Sequence, residues 1–225
     1  MRRCAFRRVI RSGVTVVALT ALPADVNAGP VSGTVRTTTR TGVAPATAVV
    51  YAEPLDSAVP RRPGQTSLGQ RNKTFTPHVV AAPVGSTVRF PNHDSIFHNV
   101  FSMSAPEPFD LGLYRSGAER TRTFTQAGTY RVFCNIHPQM TALIVIVPTP
   151  YVIVASSDGR YTLELPPGRF RLTAVSERAG PVAAEVTSTA GSSAAPDLVL
   201  DESQWVATQH KNKFGQEYPA AAYKH

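Results

Sequence analysis

Cys134, His137 and Met140 stand in the run Cys134-Asn135-Ile136-His137-Pro138-Gln139-Met140, between a short strand pattern and the apolar run Ala142 to Val147. The spacing C-x2-H-x2-M places a thiolate, an imidazole and a thioether on one tight loop, and all three are soft or borderline metal donors. A mononuclear copper ion that passes single electrons takes two His and one Cys in a trigonal set, with a long, weak bond to an axial Met. The loop is one His short of that set. His98 can supply it: it lies 36 residues before Cys134, in Phe97-His98-Asn99-Val100. Ser86 to Asn92 reads as strand and turn, and His98 opens the next strand.

These donors need a rigid β framework, and the composition provides for one. The chain has 225 residues, 42% hydrophobic and 17% charged, enough to bury a sizeable core in one or two domains. With 19 prolines, few helical patterns and short β-branched runs between turn signals, the class is all-β. Tyr130, Val132 and Cys134 alternate onto one face of a strand. Ala142 to Val147 is apolar throughout, which suits a strand buried on both faces.

Residues 1–28 read as a signal peptide. Arg2, Arg3, Arg7, Arg8 and Arg11 form a basic start, Val14 to Ala21 a short apolar run, and Val26-Asn27-Ala28 a small-residue cleavage site. The mature chain then begins at Gly29 and is exported, in a bacterial setting to the periplasm, with no membrane-spanning segment left. Cleavage removes five Arg and one Asp, which lowers the formal net charge from +8 to +4. That weakens any reading as a nucleic-acid binder. Cleavage also removes Cys4, so Cys134 is the only mature cysteine. Exported proteins normally pair their cysteines, and ligation to a metal accounts for one left unpaired.

The remaining histidines and methionine read differently. His78 and His93 are expected in turns or at the surface, Met103 in core packing, and His210 and His225 in solvent at the polar tail. Along the chain, Val31 to Val35 and Ala48 to Tyr51 are two strands followed by a Pro-rich stretch, and two strands cannot stand alone in water. Gln70 to Thr76, His78 to Ala82 and Thr87 to Phe90 read as strands, and Ala105 to Gly117 as irregular. After Pro148, short strands alternate with the turns Ser157-Asp158-Gly159 and Pro166-Pro167-Gly168.

Residues 70 to 148 resemble a cupredoxin. The ligand loop Cys-x2-His-Pro-x-Met is similar to those of amicyanin and pseudoazurin, and Phe75-Thr76-Pro77, Val84-Gly85-Ser86-Thr87-Val88, His98-Asn99-Val100 and Gly128-Thr129-Tyr130 fall in the family's order. Phe90-Pro91-Asn92-His93-Asp94, Leu113-Tyr114 and Cys134-Asn135-Ile136-His137 also resemble plastocyanin-like proteins labelled methylamine utilisation proteins. Residues 151 to 200, with Ser157-Asp158-Gly159-Arg160-Tyr161 and Leu165-Pro166-Pro167-Gly168-Arg169-Phe170, look like a carboxypeptidase-regulatory β-sandwich. Such sandwiches begin with Gly-x-Val and Ala-x-Val strands, which here sit at the other end as Gly33-Thr34-Val35 and Ala48-Val49-Val50.

The resemblances imply a cupredoxin Greek-key β-sandwich plus a second small β-sandwich. We divide the chain into a signal peptide (1–28), the first strands of a discontinuous sandwich (29–58), an inserted cupredoxin domain (64–148), the rest of the sandwich (149–200) and a polar tail (201–225). They also imply one type-1 copper per chain, held by His98, Cys134, His137 and Met140. Asn99 would tie the two ligand loops together by hydrogen bonds. Pro138, lacking an N–H, would limit hydrogen bonding near the sulfur and stiffen the loop. His98 should be buried, and the edge of His137 should reach the surface through an apolar patch facing a redox partner protein. The expected function is electron transport rather than catalysis. The alternative is copper storage or delivery, with His93 and Met103 as auxiliary ligands.

Overall fold

The computed structural model describes residues 28–58, 61–206 and 210–218, and these residues form strands and turns, with no helix among them. The basic, apolar N-terminal segment, Cys4, Lys224 and His225 lie outside the described residues. Among the described residues no helix is long and apolar enough to cross a membrane.

The strand Gly128–Phe133 sends Tyr130 and Val132 into an apolar core, and Cys134 follows them into it. It pairs antiparallel with Thr141–Val147 on one side and with His98–Ser102 on the other. Phe109–Tyr114 and Val79–Pro83 complete this five-stranded sheet, the latter running parallel to Thr141–Val147. A facing sheet of Glu119–Thr123, Thr87–Pro91 and Gln65–Ser67 supplies Val88 and Phe90, and Phe75, Phe124 and Ile144 fill the space between.

A second core lies among strands from both ends of the chain. Gly29–Thr39 pairs with Arg160–Leu165 and with Leu198–Asp201, while Val49–Pro54 pairs with Val152–Val154 and Gly168–Val175. Val31, Val35, Val50, Leu163, Phe170 and Leu172 are buried between these sheets. The two short N-terminal strands therefore find partners more than a hundred residues away. Gly159 is needed at the turn before Arg160, since its φ is +81° and a Cβ there would lie 2.2 Å from the Val35 oxygen.

The apolar strand Thr141–Val147 faces the first core on one side and the outer face of the second sandwich on the other. Ile144 and Ile146 enter the first, whereas Leu143, Val145 and Val147 pack with Val79 against Val49, Tyr51, Val152 and Val154. Each fully buried Val or Leu is worth about 1.5–3 kcal/mol relative to exposure, so this contact holds the two sandwiches together.

Two strand readings change. Gln70 to Thr76 is not one strand but a hairpin of Gly69–Arg71 and Thr74–Thr76, turning at Asn72 and Lys73, both at φ +54°. Ala105 to Gly117 is not irregular throughout: Phe109–Tyr114 is a strand with a bulge between Asp110 and Leu113, where Gly112 takes φ +72°. The flanking prolines and the bulge break the alternation that would have shown it.

Glu177 of the second sandwich accepts a 2.9 Å hydrogen bond from His78 and a 3.2 Å bond from Arg131, both of the first. His78 is thus a surface residue, as its sequence suggests, but it is an ion-paired one. The Glu177 hydrogen bond, partly opposed by burial and by the Arg178 charge, raises the His78 pKa, and the His78 bond first of all lowers that of Glu177. The pair's contribution is therefore present between the ordinary values of 4.5 and 6.5 and is lost as pH rises through the raised value of His78. His78 is half exposed, which limits the effect to about 1 kcal/mol or less. Urea denaturation at pH 6 and pH 8 should show a drop in stability that Glu177→Gln largely removes.

Candidate metal centre

His98 is placed by the first residue of a central strand, opposite Tyr114, and is fully buried. Cys134 follows the neighbouring strand and is also fully buried. The loop between them and Thr141–Val147 is closed by its own backbone. The Cys134 N–H donates to the Met140 carbonyl at 3.3 Å, and the Met140 N–H donates to the His137 carbonyl at 3.0 Å. His137 is half-buried, and Met140 is fully buried in the same core as Cys134.

Three donor atoms converge. His98 Nδ1 and His137 Nδ1 are 3.1 Å apart, and Cys134 Sγ lies 3.9 Å from the first and 3.6 Å from the second. A triangle with these edges has its centre about 2.1 Å from each corner, close to the bond lengths of about 2.0–2.1 Å (imidazole) and about 2.3 Å (thiolate) that zinc, copper's neighbour, makes. The residues fit a metal ion. Two imidazoles, one thiolate and a buried thioether on the same loop suit copper better than zinc, whose structural sites are built without thioether.

The charge state of each donor follows from its surroundings. Asp94 accepts a 2.7 Å hydrogen bond from His98 Nε2, so the proton of a neutral His98 sits on Nε2 and the lone pair of Nδ1 faces the other donors. Asp94 also accepts N–H bonds from Asn72 at 2.5 Å and Lys73 at 2.9 Å. Burial raises its pKa, but the Lys73, His98 and Asn72 bonds outweigh burial and leave it lowered. The carboxylate therefore stays charged, fixing the hairpin turn and the His98 ring at once. Burial pushes the Cys134 thiol up, against the lowering pull of the Asn99, Ile136 and His137 backbone N–H groups.

Asn99 bridges the strands. Its Oδ1 accepts from the Asn135 N–H at 3.3 Å, and its Nδ2 donates to Asp110 Oδ1 at 2.7 Å. Pro138 is buried, and its carbonyl accepts a 2.7 Å bond from His210 Nε2. His210 is thus not simply solvated; its ring stacks on Phe133 at 4.0 Å. Met103 is not core packing either: it is 65% exposed, because the strand ends at Ser102 and the chain turns outward there. His93 is exposed, its ring against Gly69, and it does not belong to the cluster of His98, Cys134 and His137.

Asp94 is the residue of the candidate site that the sequence reading left without a role. Its signal is faint but real, a carboxylate four residues before a donor His on the same loop. The contacts of His210 and Tyr218 leave no comparable trace in the sequence.

No protein-family model and no curated protein matches the chain. Its structural neighbours include cupredoxins. A copper-containing nitrite reductase from Thermus scotoductus is 28% identical over 42% of this chain and 25% of that one, with a TM-score of 0.36. This chain thus matches about a quarter of that protein's length. A purple cupredoxin from Nitrosopumilus maritimus is 24% identical over 37% of this chain and 99% of that one, with a TM-score of 0.34. Amicyanin from Paracoccus versutus is 24% identical over 42% of this chain and 85% of that one, also with a TM-score of 0.34.

Asp94→Asn keeps the side chain's size but removes the charge that orients His98. Chelator competition should show Cu(II) affinity lowered by about 10- to 100-fold, with the far-UV spectrum of the β fold unchanged.

Proposed function

We propose that this chain is an exported electron carrier holding one copper ion in a type-1 site through His98, Cys134, His137 and Met140. The observation that carries the reading is the convergence of two Nδ1 atoms and one buried Sγ around a common centre. When bound, the copper would supply a one-electron couple whose potential depends on the axial ligand and on the surroundings of the sulfur.

The chain's own residues do the rest. Asp94 orients His98, Asn99 couples its strand to the Cys134 loop, and the apolar core keeps water from the sulfur. A loop held this firmly keeps the donors in one arrangement in both oxidation states, which favours fast transfer. His137 is the donor nearest solvent, and Phe97 and Ile136, beside the two His, are 54% and 43% exposed. That apolar rim would suit the docking of a redox partner protein beside His137. Residues 1–28 support export, and an exported setting accounts for a lone cysteine kept for ligation. Four protein donors leave no open position for a substrate, so the reading is transport and not catalysis.

The full chain loaded with Cu(II) should show an intense thiolate-to-copper visible band and a narrow hyperfine splitting in electron paramagnetic resonance. A pale, square-planar signal, or prompt bleaching with easy loss to a chelator, would favour copper storage or delivery instead. Cys134→Ala should abolish the band while leaving the β fold. Met140→Gln should retain copper and lower the reduction potential, measured by voltammetry, and an unchanged potential would remove Met140 from the set of residues that would hold the metal.

A further inference from the structure

The C-terminal segment 210–218 lies against the outside of the Cys134–Met140 loop and contacts it at three separate points. His210 Nε2 donates to the Pro138 carbonyl at 2.7 Å, the Lys213 N–H donates to Asn135 Oδ1 at 3.0 Å, and the Tyr218 hydroxyl donates to the Cys134 carbonyl at 3.0 Å. Lys213 Nζ also pairs with Asp110 Oδ2 at 2.6 Å, and Asp110 Oδ1 holds Asn99, whose amide holds the Asn135 N–H. The ligand loop and the strand carrying His98 therefore share one polar network that closes through the tail.

Packing supports the same contact. Phe133 points away from the sandwich core, yet it is only 9% exposed: His210 stacks on it, and Phe101 and Arg131 also lie against its ring. Tyr218 packs edge-on to His210 at 5.2 Å and is 8% exposed. Both deliver a single N–H or O–H to a carbonyl of the ligand loop, next to the residues proposed to bind the metal.

We propose that residues 210–218 form a strap that positions the ligand loop, with His210 and Tyr218 as positioning residues that fix the backbone of Pro138 and Cys134 from outside the sandwich. The inference rests on the copper reading for its purpose, but not for its geometry. A loop bonded only to itself would sample open arrangements in which the donors separate. The strap removes that freedom by pinning the loop at its first residue and at its proline. The expected consequences are a slow loss of metal and a single coordination geometry.

The test uses the full chain carrying Tyr218→Phe, which removes only the hydroxyl, and His210→Ala, with His210→Gln as the conservative variant that keeps an N–H donor. In metal-free protein, hydrogen exchange at the amides of Cys134, Asn135 and Met140 should be about tenfold faster in Tyr218→Phe and His210→Ala, with the Thr141–Val147 amides unchanged. After Cu(II) loading, transfer to a chelator should be about 10- to 100-fold faster and the hyperfine splitting altered, with most of the effect reversed in His210→Gln. Unchanged loop exchange overturns the strap. So does a uniform acceleration that includes Thr141–Val147, which would mean ordinary structural packing. Absence of the thiolate-to-copper band in the unmodified chain would overturn the copper reading alone, and the metal-free exchange would still decide on the strap.

Discussion

A sulfur atom sits at the end of an apolar core with two imidazole nitrogens turned toward it, and such an atom can carry charge only if opposite charge or polarised N–H groups meet it there. Burial alone favours the neutral thiol, and the three backbone N–H groups against the sulfur do not reverse that. A positive ion at the centre of the three donors would reverse it outright, because a bound metal displaces the thiol proton, which is released to solvent, and holds the thiolate. The surroundings read as preparation for that event. His98 has its proton fixed on the far nitrogen by Asp94, so its near nitrogen is a donor pair in advance. Asp94 in turn is fixed by two backbone N–H groups of a tight turn, and the order of one side chain is transferred to the next.

This dependence accounts for which parts of the protein its sequence reveals. Cys134, His137 and Met140 are adjacent along the chain, and their types alone restrict the chemistry. His98 is 36 residues away yet legible, since the strand that carries it has a clear beginning and end. The all-β class is equally plain from the alternating runs and turn pairs. What escapes is whatever depends on a register or a bulge. Phe109–Tyr114 reads as irregular because its bulge moves Leu113 out of phase with Phe109. His210 reads as a solvated tail residue because nothing nearby in the chain implies Phe133 as its stacking surface. Met103 reads as core because an apolar residue after a strand is usually buried, whereas the strand had already ended.

The run Ala142 to Val147 shows how one stretch can carry two meanings at once. Its lack of alternation is correctly taken to mean burial on both faces, but the second face does not meet another layer of the same sandwich. Leu143, Val145 and Val147 meet Val49, Val152 and Val154, so the strand that follows the ligand loop is also the seam between the two sandwiches. A movement of the second sandwich would press on a strand whose first residue is one position from Met140. Close-packed interiors have low compressibility, so the second sandwich packs directly on the strand that follows the ligand loop without touching any donor.

The choice between carrying electrons and carrying copper then turns on rigidity. A protein that delivers metal must let at least one donor swing away, and the donor best placed to do so is His137, which is half-buried on a loop. Here that loop is closed by its own backbone bonds, tied through Asn99 to the strand of His98, backed by the sandwich seam, and touched from outside by residues 210–218. Each restraint raises the free energy of an open loop and leaves the closed one unaffected, so together they would oppose release of a bound ion more than they would oppose a change in its charge. The same restraints would burden a metal chaperone with a slow exchange step and would benefit an electron carrier, whose rate falls when its donors must rearrange.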